Sequence, residues 1–121
     1  MASTGLTGPY AHTSAEVDNQ VTRTSAGAYA LGRTDSSGTF LVSYVGRSDD
    51  DLNNRLKTHA SNATYKQFKY GYMGSSKAAF EKECTLYHDF GESSLDNKIH
   101  PARPANSTWS CPKCTTFDQV I

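Results

Sequence analysis

At 121 residues, with 36% apolar and 20% charged side chains, the chain has the length of one folded unit rather than two. Twelve basic and twelve acidic residues cancel, so no overall positive field draws in nucleic acid, and only a local basic face could meet phosphate. No apolar run approaches the roughly 20 residues of a membrane-spanning helix. Met1 to Thr24 lacks the apolar centre of a secretory signal, so the expected setting is intracellular (cytoplasmic), with no membrane partner. In that setting the Asn-x-Thr sequons at Asn62 and Asn106 carry no meaning, and Cys84, Cys111 and Cys114 read as metal ligands or thiols before disulfides.

Residues 1–24 are rich in Ser, Thr, Gly and Ala and read as a flexible tail, because they offer little apolar surface against the entropy of ordering. Order is expected from Gly27-Ala28-Tyr29-Ala30-Leu31. The run Phe40 to Val45 is rich in β-formers, and the turn cluster Thr34 to Gly38 between the two makes them a β-hairpin. A helix follows, capped by Ser48 or one of Asp49 to Asp51, with Leu52 and Leu56 as its apolar stripe. Tyr65 to Met73 alternates aromatic with other residues (Phe68, Tyr70, Tyr72) and predicts a third strand. Gly74-Ser75-Ser76 opens a second helix reaching about Phe90, with Ala79, Phe80, Leu86 and Tyr87 as core residues and Gly91 as its stop. The order β-β-α-β-α predicts an α/β fold, a small three-stranded antiparallel sheet with flanking helices over residues 25–100. Residues 101–121, with Pro101, Pro104 and Pro112, read as an irregular extension packed on that core.

The chemistry-bearing residues follow the hairpin. Gly27-Ala28-Tyr29 and Tyr44-Val45-Gly46 lie on its two arms. Arg55 comes nine residues after Gly46, and His59 stands one helical turn later on the same face. This pattern resembles the GIY-YIG nuclease family, whose signature is two such triplets, an arginine helix, a glutamate helix and a late asparagine. Ala28 stands where the family usually has isoleucine, and Val45 fills the middle of the second triplet. Ala79-x-x-x-Glu83-x-x-Leu86 is similar to the glutamate helix, and Asn97 stands fourteen residues after Glu83, about where the family keeps its asparagine. The resemblance runs from Gly27 to Asn97. It implies a metal-dependent endonuclease acting on DNA, with Tyr29 as general base.

The residue types suit that chemistry in their own right. Hydrolysing a phosphodiester requires an activated water, charge stabilisation on the phosphate, and help for the leaving oxygen. A phenol with an ordinary pKa of about 10 is a poor base until a cation or a second hydroxyl stabilises its anion, which Tyr44 and His59 could do for Tyr29. Arg55 offers a planar, permanently charged fork for phosphate oxygens. Glu83 would hold Mg²⁺ or another divalent cation, with Glu81 as its rival, and Asn97 would brace the site.

Cys111-Pro112-Lys113-Cys114 has zinc-knuckle spacing, and Cys84 and His88 lie four apart on the second predicted helix. Together they make a candidate structural Zn²⁺ site that would staple the extension to the core, with His100 as substitute for His88. A zinc nucleobase deaminase is excluded, since Ser110 rather than proline precedes Cys111 and no His-x-Glu is present. The alternative function is a catalytically silent, zinc-bearing module that binds nucleic acid or protein on the same fold. No separate DNA-reading segment follows the core, so a protein partner supplying specificity is a further expectation.

Overall fold

The computed structural model describes residues 5–60, 65–90 and 95. The elements run β1 (Thr7–Ala11), α1 (Ser14–Gln20), β2 (Gly27–Thr34), β3 (Phe40–Ser48), α2 (Leu52–Ala60), β4 (Gln67–Tyr72) and α3 (Ser76–Asp89). All pairings are antiparallel, in the order β1-β4-β2-β3, so β3 is an edge strand. The fold is a small α/β arrangement of one four-stranded sheet and three helices.

The sheet therefore has four strands where the sequence predicts three, and residues 1–24 are not a tail throughout. Two elements come from that stretch. Strand β1 pairs with β4, placing Tyr10 opposite Phe68. Thr13 caps α1 by accepting from the Glu16 amide, and Val17 and Val21 are buried. The stretch is poor in apolar groups, but β4 supplies the surface it lacks: Phe68, Tyr70 and Tyr72 project from one face of β4 onto these residues. A few contacts against a large aromatic face offset an ordering cost that composition alone makes look prohibitive.

The β2–β3 hairpin forms as its sequence predicts. Asp35 Oδ1 accepts from the Ser37 and Thr39 amides, and Gly38 turns the chain at a φ of 88°, a left-handed conformation suited to glycine. Helix α2 is capped by Asp51, whose carboxylate accepts from the Asn54 amide, while Ser48 Oγ accepts from the Asp51 amide just before it. Ser75 caps α3, and the helix closes at Phe90, whose amide bonds to Leu86 O. Gly91, Asn97 and the extension 101–121 lie outside the described residues.

The two faces of the sheet hold different cores. Tyr29, Leu31, Phe68 and Tyr70 pack with Val17, Val21, Leu52 and Leu56 under α1 and α2. Ala28, Ala30 and Val45 pack with Leu86, Tyr87 and Leu95 under α3. Leu52 and Leu56, fully buried one turn apart, each contribute about 2 kcal/mol by removing apolar surface from water. These contacts fix α2 and α3 on opposite sides of edge strand β3.

Candidate active site

Alternation along β3 puts Tyr44 and Gly46 on the α2 face and Val45 and Arg47 on the α3 face. At the end of β3 the two faces meet around a cavity of about 220 Å³ lined by Tyr44, Gly46, Arg47, Asp49, Arg55 and Glu83. Three of the predicted residues, Tyr44, Arg55 and Glu83, thus come from β3, α2 and α3 to one concave surface.

Tyr29 and His59 stand directly behind that surface. The Tyr29 ring is fully buried, and its hydroxyl lies against Gly46, opposite it in the β2–β3 register. A Cβ at position 46 would overlap the Tyr29 Oη, so glycine there makes room for the ring. Oη is 2.7 Å from His59 Nε2 and accepts from Arg55 Nε at 3.3 Å. The His59 ring packs on both tyrosines, with centroids 5.4 Å from Tyr29 and 5.2 Å from Tyr44.

Burial sets the protonation of this group. Desolvation pushes the Tyr29 phenol above its ordinary value, opposed by the charge and hydrogen bond of Arg55. His59 is lowered from 6.5 to about 4, first by desolvation and then by the positive charge of Arg55 and of His12, so its imidazole is neutral at neutral pH. The pair therefore rests as a neutral phenol beside a neutral imidazole, with a guanidinium against the phenol oxygen.

On the α3 side, Glu83 is 8% exposed. Burial raises its carboxyl above the usual range, while Arg47 pulls the other way. Arg47 Nη1 donates to Glu83 Oε1 at 2.6 Å, its Nε donates to Asp49 Oδ1 at 2.9 Å, and its guanidinium lies 5.3 Å from the Phe80 ring centroid. Glu81, the rival carboxylate two residues before Glu83, is half-buried and does not line the cavity.

The donors on the cavity wall suit a hard divalent cation. Glu83 and Asp49 offer carboxylate oxygens, each of them already accepting from Arg47. Among the described residues, no three His, Cys, Asp or Glu side chains gather around one metal position. Of the zinc candidates, Cys84 is buried in α3 and His88 is half-buried one turn on, while Cys111, Cys114 and His100 lie outside the described residues, as does Asn97.

Sequence reasoning missed Arg47 and Asp49. Arg47 directly follows the second glycine-tyrosine triplet, and strand alternation separates it from Tyr44 and Gly46 without saying which helix covers its face. No family model, no curated protein and no solved structure matches this chain.

Proposed function

We propose that the chain is a divalent-cation-dependent DNA endonuclease with a GIY-YIG-like arrangement. The observation that carries this reading is the convergence of Tyr44, Arg55 and Glu83 on one cavity, with Tyr29 and His59 hydrogen-bonded behind it. Residues so far apart in the chain have no packing reason to share a solvent-lined wall, and their types match the three needs of phosphodiester hydrolysis.

In this reading Arg55 binds two non-bridging phosphate oxygens while its Nε stays on Tyr29 Oη. His59 Nε2 is the acceptor within reach of the phenol proton; burial opposes that transfer at both groups, and the charge of Arg55 is what stabilises the phenolate. An attacking water that reaches the buried phenolate beside Gly46, which lines the cavity, gives up its proton there, and its oxygen forms the new bond to phosphorus as the bond to the leaving oxygen breaks. Glu83 would hold a divalent cation, which would supply charge neutralisation at the phosphate and at the leaving oxygen. Tyr44 packs against His59 and holds the imidazole toward Tyr29. Asn97 and a Zn²⁺ held by Cys84, His88 or His100, Cys111 and Cys114 complete the proposal as bracing elements.

A second reading, a silent nucleic-acid or protein binding module, draws support from the resting state: the phenol keeps its proton and Glu83 is already engaged by Arg47. Incubation of supercoiled plasmid with the protein and Mg²⁺ separates the two. Nicked or linear product supports the nuclease, and bound but intact plasmid supports the module.

A further inference from the structure

Arg47 holds the carboxylate that the proposed function gives to a cation. Its guanidinium is shared between Glu83 at 2.6 Å and Asp49 at 2.9 Å, and its side chain is only 13% exposed. The Glu83 side chain is 10% exposed. A carboxylate so far removed from water is held as an anion only beside a positive partner, because an unpaired buried charge is strongly destabilising. In the structure that partner is Arg47. A divalent cation held through both Glu83 oxygens would need the same Oε1, and one held on Oε2 alone would stand beside the guanidinium across a single carboxylate, since hard cations bind carboxylate oxygens at about 2.0–2.6 Å. Two positive groups cannot both hold that carboxylate at contact distance without mutual repulsion in a site poorly screened by water.

We propose that Arg47 is the resident counter-ion of Glu83, displaced by the divalent cation, so that guanidinium and metal compete for one carboxylate. The inference rests on Glu83 being the cation ligand of the proposed function. The structure also gives the displaced guanidinium somewhere to remain. Asp49 is its second carboxylate partner, so release from Glu83 swings the rigid guanidinium as one unit within the cavity that Arg47 and Arg55 both line. Arg47 is thus a positioning residue with two partners: it holds Glu83 oriented before the cation arrives, and afterwards presents a second guanidinium to bound phosphate.

The test is metal affinity without DNA, read on the full chain as the loss of the free Mn²⁺ electron-resonance signal. Arg47→Met keeps the apolar stem over Phe80 and removes the competitor, so it should bind Mn²⁺ at least about tenfold more tightly than the parent, a gain of about 1.4 kcal/mol. Glu83→Gln should bind at least about tenfold more weakly. Unchanged or weaker binding by Arg47→Met overturns the competition, as does unchanged binding by Glu83→Gln. Should Arg47→Met fail to fold, the parent chain still decides. With ¹⁵N-labelled arginine, the Arg47 side-chain signals should move along the same Mg²⁺ titration that fills the site. Static signals at saturation overturn the proposal. Tightened Mn²⁺ binding with no plasmid cleavage by the parent would leave the competition standing and remove the nuclease reading. Cleavage with untightened binding would do the reverse.

Discussion

Tyr29 and Gly46 face each other across the β2–β3 pair, and the tyrosine hydroxyl occupies the space that a side chain at position 46 would take. The two glycine-tyrosine triplets are therefore one packing unit. The glycine of the second gives the tyrosine of the first its path to Arg55 and His59. Gly46→Ala forces the ring or the strand to move. Overpacking of this kind costs about 1–3 kcal/mol, which a denaturant titration would read. An alanine variant as stable as the parent, with Tyr29 and His59 signals unmoved, would contradict this packing.

His59 should titrate at about 4, below its ordinary 6.5, because burial and the Arg55 and His12 charges disfavour the imidazolium. A group whose native pKa is depressed is protonated first in the unfolded chain. Stability from His59 is then full above pH 6.5 and declines as pH falls toward 4. The decline is small, since His59 is only about half-buried and partly screened by solvent. Ring-proton NMR during an acid titration checks the value. A midpoint near 6.5 would show that His59 does not lie against Tyr29 and Arg55 as described.

Much of this arrangement is legible in the chain, and the exceptions have physical reasons. The hairpin announces itself through Asp35 and Gly38, α2 through Asp51 with Leu52 and Leu56, and α3 through Ser75. Those signals are local. β1 and α1 are not legible, because Val17 and Val21 become worth burying only against the aromatic face of β4, some fifty residues later. Arg47 is hidden for the same reason. Its partner Glu83 lies 36 positions away, and an arginine on a strand declares neither its face nor its counter-ion. Tyr29, Tyr44, Arg55, His59 and Glu83 are legible as a set through their order and spacing. That Tyr29 and His59 stand behind the cavity wall while Tyr44 lines it could not be read from spacing.

Arg55→Lys keeps the charge but loses the planar fork and the Nε bond to Tyr29. Cleavage should fall at least about 10²-fold. Tyr29→Phe should lose a comparable factor. Its stability should drop by only about 1 kcal/mol, the worth of a buried hydroxyl's hydrogen bonds. Single-turnover cleavage rates with matched thermal melts check both. A lysine variant cutting as fast as the parent would take Arg55 away from the phosphate.

If Cys84, His88, Cys111 and Cys114 enclose one tetrahedral Zn²⁺, the purified chain should carry about one zinc, and a strong chelator should lower its melting temperature in a way that Mg²⁺ does not reverse. Zinc retained by His88→Ala would pass the fourth position to His100. Absence of zinc by elemental analysis, with Cys111 and Cys114 readily alkylated in the native protein, would remove the site.

The central claim, that the cavity at the end of β3 is a cation-dependent nuclease centre built on Glu83, is tested most directly by plasmid cleavage with Mg²⁺, comparing the parent, Glu83→Gln and Glu81→Gln. Glu83 is buried on the cavity wall and Glu81 lies off it. The parent and Glu81→Gln should convert supercoiled plasmid to nicked and linear forms, and Glu83→Gln should be slower by at least about 10²-fold while retaining its fold. Cleavage by Glu83→Gln at the parent's rate, or loss of cleavage in Glu81→Gln instead, would contradict the account.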